Sequence, residues 1–218
     1  MTSMQAVAQR IEQGRVIAIA RLNDGSRLME VAQALLDGGL SILEFTLTTP
    51  GALEALAEAR AAFGDAFCLG AGTVLDLDGA VRSVAAGAQF LVTPILRREV
   101  VQFSKDEGVL CVCGAMTPTE MQQAYEWGSP YVKVFPAGVG GPGYLRDVLG
   151  PLPHLRLITT GGVTLENAPQ FLAAGAVAVA VGGQLIDKQL VATGQFAAIT
   201  ERARGFARLA LPPTQPPA

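Results

Sequence analysis

The sequence is poor in residues on which many functions depend. It has one histidine, one tryptophan, three cysteines and three lysines, Lys105, Lys133 and Lys188. Charged residues make up only 16% of the chain and aromatics 6%. The net charge is −3 and no basic cluster occurs, which argues against a nucleic-acid partner. The apolar runs are short and cut by glycine or charge, so none approaches the ~20 residues of a membrane span. The first residues lack the basic and apolar regions of a signal peptide. With an odd cysteine count, this predicts a reducing, cytoplasmic setting. Cys111 and Cys113 lie two apart on one predicted strand with no histidine nearby, which suits a core or site-lining role better than metal binding. The lone histidine, His154, falls in a Pro-rich loop before a strand and is read as a surface residue. With no clustered carboxylates either, neither a metal nor another cofactor is expected.

What the chain does have is apolar material and punctuation. Half of its 218 residues are hydrophobic, enough for a large single core. A helix is predicted over 3–13. Apolar strands are predicted over 15–20, 41–46, 67–71, 89–93, 109–113, 131–135, 155–159 and 177–181. Between them lie helical patterns, over about 24–37 with Asp24 or Ser26 as cap, 50–63, 76–86, 96–107, 117–127, 143–149, 164–173 and 194–209. Thr117-Pro118-Thr119-Glu120 reads as a capping box. Glycines at 38–39, 87, 128 and 175 close several helices. Eight strands, each followed by a helix, favour a closed (β/α)8 barrel with an extra N-terminal helix over an open doubly wound sheet. The barrel is assigned to 1–210, and 211–218 (LPPTQPPA) to a flexible Pro-rich tail.

Active sites of such barrels lie at the C-terminal ends of the strands. There Lys133 interrupts an apolar strand, sharing one face with Tyr131 and Phe135. Glu44 is the other ionisable group inside a strand. Facing each other, the two could form a buried ion pair, which adds little net stability. They could equally be a Schiff-base lysine with a proton-transferring carboxylate. Gly161-Gly162 and Gly182-Gly183 follow strands seven and eight, where backbone N–H groups and helix N-termini can hold a phosphate. Glycine pairs also simply make tight turns. Thr73 could hold a substrate oxygen or cap a helix. Arg21 could clamp a carboxylate or phosphate, or remain a solvated loop residue.

These residues resemble the class I aldolases that cleave 2-keto-3-deoxy-6-phosphogluconate (KDPG) and 4-hydroxy-2-oxoglutarate. The likeness rests on Leu43-Glu44-Phe45-Thr46-Leu47, Gly70-Ala71-Gly72-Thr73-Val74, Val92-Thr93-Pro94, Gly114 with Thr117-Pro118-Thr119-Glu120, Val132-Lys133-Val134-Phe135-Pro136-Ala137, Thr160-Gly161-Gly162-Val163 and Gly182-Gly183. It implies a Schiff base between Lys133 and pyruvate or the keto acid, with Glu44 moving protons. It implies keto-acid contacts from Thr73, a pocket shaped by Pro94 and Phe135, phosphate held by the glycine pairs, no metal, and a homotrimer. The partners implied are a keto-acid sugar phosphate and pyruvate. Many members carry an arginine for the substrate carboxylate where Thr48 stands. Arg21, which matches an arginine of some members, is its expected replacement. The Leu47-Thr48-Thr49-Pro50 loop is closer to the related 2-keto-3-deoxy-6-phosphogalactonate aldolases, and Gln184 replaces a common serine. Two readings of other classes stand beside this one: a phosphate-binding barrel isomerase or synthase, and a non-catalytic sugar-phosphate binder.

Overall fold

A computed structural model describes residues 4–210. The expected tail at 211–218 lies outside the described residues. Eight parallel strands close into a barrel in chain order: β1 (Val16–Ala20), β2 (Ile42–Thr46), β3 (Cys68–Gly72), β4 (Phe90–Val92), β5 (Leu110–Ala115), β6 (Tyr131–Val134), β7 (Leu157–Thr160) and β8 (Ala178–Val181), with β8 pairing back to β1. Every residue of every strand is buried, as expected of strands covered on both faces.

The two faces of each strand serve two layers. Val16, Leu43, Leu69, Leu91, Val132, Val134 and Val179 pack outward against the helices. Ile17, Ile19, Ile42, Cys68, Phe90, Val92, Leu110, Val112, Tyr131, Ile158, Ala178 and Ala180 fill the barrel. Gly70 makes room in this interior, because a side chain there would overlap the Phe90 ring. Cys111 and Cys113 belong to the outer layer.

The surrounding helices are α2 (Leu28–Asp37), α3 (Ala52–Phe63), α4 (Leu77–Ala85), α5 (Arg98–Asp106), α6 (Pro118–Glu126), α7 (Gly141–Leu149), α8 (Ala168–Ala173), α9 (Lys188–Ala192) and α10 (Phe196–Ala207). The additional N-terminal helix, α1 (Met4–Gly14), seats Val7 and Ile11 in the interior cluster. Tyr131, at the start of β6, donates its hydroxyl to Glu12 of α1. This helix therefore plugs the N-terminal end of the barrel, leaving the C-terminal end for chemistry.

The capping box of α6 forms as predicted: Glu120 N–H donates to Thr117 Oγ1 at 3.3 Å, and Thr117 N–H donates to Glu120 Oε2 at 2.8 Å. The expected cap of α2 does not. Asp24 instead accepts the N–H of Ser26, and the N-cap position falls to Arg27, without a side-chain cap bond. Helix α8 also starts later than predicted. Thr164 and Asn167 bond each other reciprocally in a turn, which postpones the helix to Ala168. The five-residue α9, between β8 and the last helix, is an element the sequence pattern did not reveal. His154 is exposed beside Gln122 and Tyr125, as expected of a surface residue.

Candidate active site

Strand register brings the two ionisable strand residues into the same interior. Glu44 lies level with Ile19 on β1, and Lys133 lies level with Ile158 on β7; both neighbours face inward. Both groups are almost wholly buried, Glu44 at 1% and Lys133 at 3% exposure. Such burial of charged groups is expensive and calls for a reason. Space for the carboxylate comes from Gly72, where any side chain would overlap Glu44. Gly114, level with Lys133, lets the backbone of Pro94 and Ile95 pack directly on β5.

The Glu44 carboxyl is held above its ordinary range. Desolvation by burial is the larger effect, and the positive charges of Lys133 and Arg21 offset it only in part. Its Oε1 has no hydrogen-bond partner. A carboxyl that tends to keep its proton and has an unoccupied oxygen is suited to giving and taking a proton. Lys133 packs near the face of the Phe135 ring, with Nζ 5.4 Å from its centroid.

A cavity of about 560 Å³ opens at this end of the barrel. Of the predicted residues it is lined by Arg21, Lys133, Phe135, Gly161, Gly162, Gly182, Gly183 and Gln184. Glu44, Thr48, Thr73 and Pro94 are not part of that lining. Thr73 is nonetheless joined to it, because Arg21 Nη2 donates to Thr73 Oγ1 at 3.3 Å. Thr73 stands at φ +58°, a left-handed conformation that is strained for a β-branched residue. Pro94 is half-buried at the end of β4. Thr48 is exposed and turns its hydroxyl back to Thr46 Oγ1 at 3.3 Å.

The two glycine pairs do different things. Gly161 (φ +87°) and Gly162 (φ +77°) are left-handed, and Gly162 passes so close to Gly138 that a Cβ would lie 2.9 Å from its Cα. Gly182 and Gly183 are not left-handed, and a Cβ at Gly183 would meet nothing within 4 Å. The expected help from helix N-termini is weak: α8 and α9 have only six and five residues. In α9, moreover, the Asp187 carboxylate already takes the Gln189 and Leu190 N–H groups.

Eight lining residues lay outside the predicted set, and four of them are polar: Thr160, Thr164, Asp187 and Lys188. Thr160 is buried at the end of β7 with an Oγ1 that has no hydrogen-bond partner. Its place beside Gly161 was a signal that could have been used. Lys188 also lines the cavity. It had no such signal, because a loop after β8 must fold back to bring it there.

Comparison with known proteins agrees with this architecture. Residues 7–202 match the family described as KDPG and KHG aldolase. A 2-dehydro-3-deoxy-phosphogluconate aldolase of Treponema pallidum is 34% identical over 198 residues, 90% of this chain and 94% of the relative. One from Pseudomonas aeruginosa is 35% identical over 196 residues, 88% of this chain and 87% of the relative. A Legionella pneumophila KDPG aldolase, solved with pyruvate captured as a covalent carbinolamine, superposes with a TM-score of 0.86 at 27% identity, covering 94% of this chain and 98% of its own. A family match across nearly the whole barrel, on a closed eight-strand fold with a buried lysine and carboxylate in its interior, means that the chain belongs to the KDPG and KHG aldolase family.

Proposed function

We propose that the protein is a class I aldolase that reversibly cleaves KDPG, 4-hydroxy-2-oxoglutarate or both to pyruvate and an aldehyde, glyceraldehyde 3-phosphate or glyoxylate. Lys133 carries the reading. It is a buried amine on the catalytic side of a barrel, it lines the cavity there, and a buried carboxyl with an unpartnered oxygen shares its interior.

The neutral amine of Lys133 attacks the C2 carbonyl to give a carbinolamine. Glu44 protonates the departing hydroxyl, and water leaves to form an iminium. Glu44, now a carboxylate, takes the C4 hydroxyl proton while the C3–C4 bond breaks. The bonding electrons pass into the iminium as an enamine, and the aldehyde departs. Protonation at C3 and hydrolysis return pyruvate and free Lys133. In this reading Arg21, tied to Thr73, holds the keto-acid carboxylate in place of the arginine absent at Thr48. Pro94 and Phe135 shape the pocket. Gly161, Gly162, Gly182, Gly183 and Gln184 receive the phosphate through backbone N–H groups. The working unit is proposed to be a cytoplasmic homotrimer.

Pyruvate with borohydride should add covalent mass at Lys133 of the unaltered protein and none in Lys133→Met. Turnover without any trapped imine would instead support an isomerase or synthase using Glu44 as base. Ligand-induced thermal stabilisation without pyruvate release would support a simple binder. The Leu47-Thr48-Thr49-Pro50 loop, with no arginine at Thr48, is similar to that of the 2-keto-3-deoxy-6-phosphogalactonate aldolases, which makes the galacto epimer the alternative substrate. Pyruvate release coupled to lactate dehydrogenase, measured on KDPG, its galacto epimer and 4-hydroxy-2-oxoglutarate, ranks the three.

A further inference from the structure

We propose that Lys188 is the specificity-determining residue for the substrate's terminal phosphate. The proposal deepens the aldolase reading above and rests on it. Two of the chain's three lysines, Lys133 and Lys188, line the same cavity. Lys188 lies on the side formed by Gly182, Gly183 and Gln184, five residues beyond the second glycine pair.

A phosphate dianion at the glycine loops needs a compensating positive charge, and the usual source is lacking. Helices α8 and α9 are too short to carry a substantial dipole. The free N–H groups at the start of α9 are already taken by the Asp187 carboxylate. Gln184 is neutral, and its backbone carbonyl accepts a hydrogen bond from Arg202 Nη1 at 3.3 Å. Arg21 is engaged with Thr73 at the end of β3, toward Glu44. Arg202, bonded to Gln184 and 3.9 Å from Asp187, lies outside the cavity lining, and Lys188 is the cation of that lining beside Gly182 and Gly183.

Its ammonium is positioned rather than loose. Nζ donates to Asn23 Oδ1 at 2.9 Å, which ties the loop after β8 to the neighbouring loop after β1. An ammonium has three N–H donors, so two remain for an anion. Asp187, its neighbour, is neutralised in part by the helix N–H groups and by Arg202 at 3.9 Å. The cations of the site are thus divided. Arg21 serves the keto-acid end and Lys188 the phosphate end, which selects a substrate carrying an anion at each end.

The test compares KDPG with 2-keto-3-deoxygluconate, identical except for the phosphate. In Lys188→Gln the ratio of kcat/KM for the two should fall about tenfold, mainly through the KM of KDPG. Lys188→Arg should keep that ratio within about threefold, because the charge is retained. Asn23→Ala removes the tether but keeps the charge, and should also stay within about threefold. An unchanged ratio in Lys188→Gln, or an equal loss in Asn23→Ala, overturns the assignment while borohydride trapping at Lys133 persists. Failure of trapping in the unaltered protein overturns the aldolase reading and this one with it.

Discussion

Glu44 concentrates the physical conflict of the site. A carboxyl in the barrel interior loses its hydration, and Lys133 and Arg21 restore only part of the lost stabilisation of its charge. Its raised pKa has a definite consequence for stability. Between the ordinary carboxylate range and the raised folded value, the native protein holds a proton that the unfolded chain has released. Stability therefore falls as pH rises through that window and is fully present below it. Glu44→Gln imitates the protonated carboxyl and lacks this slope. Urea midpoints measured from about pH 4 to pH 8 should diverge in favour of the variant as pH rises; parallel curves would mean that burial does not govern the group. The same substitution should lower kcat by about 10²-fold or more, the usual contribution of a positioned acid–base group. The lysine and the carboxylate were legible in the sequence because charged residues stand out in apolar strands. Thr160 was legible only by its place beside Gly161, because an unpartnered hydroxyl is recognised only from what surrounds it.

Among the elements, the loops after the strands decide more than the strands do. The strands announce themselves by composition, and their observed limits differ from the expected ones by a residue or two. The capping box of α6 was equally readable, since both partners lie within four residues. Helix α9 was hidden by its length, for five residues are too few to establish a period. The turn at Gly161-Gly162 shows why one glycine pair is constrained and the other is not. Gly162→Ala places a side chain at φ +77° against Gly138, at a cost of about 1–2 kcal/mol from conformation alone. Denaturant unfolding should register that loss. The KM of a phosphorylated substrate should rise, whereas pyruvate trapping at Lys133 should persist. An unshifted KM would remove this turn from the phosphate site.

At the scale of the whole molecule, α1 and the barrel interior form one packed column beneath the cavity. Ile11 is fully buried there, between the helix and the floor of the barrel. Ile11→Ala should cost about 2–5 kcal/mol through lost burial and a residual cavity. Below its lowered melting temperature the variant should retain its kcat and KM, because the substitution lies at the opposite end from Lys133. A change in KM at constant fold would show instead that the floor sets the geometry of the site.

The sequence by itself determined the eight-fold alternation, the N-terminal helix, the buried Lys133 and Glu44, and the end of the barrel at which to look. Those features are written in local periodicity, punctuation and the cost of burying charge. Tertiary structure alone decided that Gly72 vacates the space for Glu44, that Arg21 leans on Thr73, and that Thr48 turns away. It also brought Lys188 back beside the second glycine pair. The first two depend on contact between segments far apart in the chain and the last two on how a loop folds back on itself; barrel closure and loop return create both without leaving any mark in local composition.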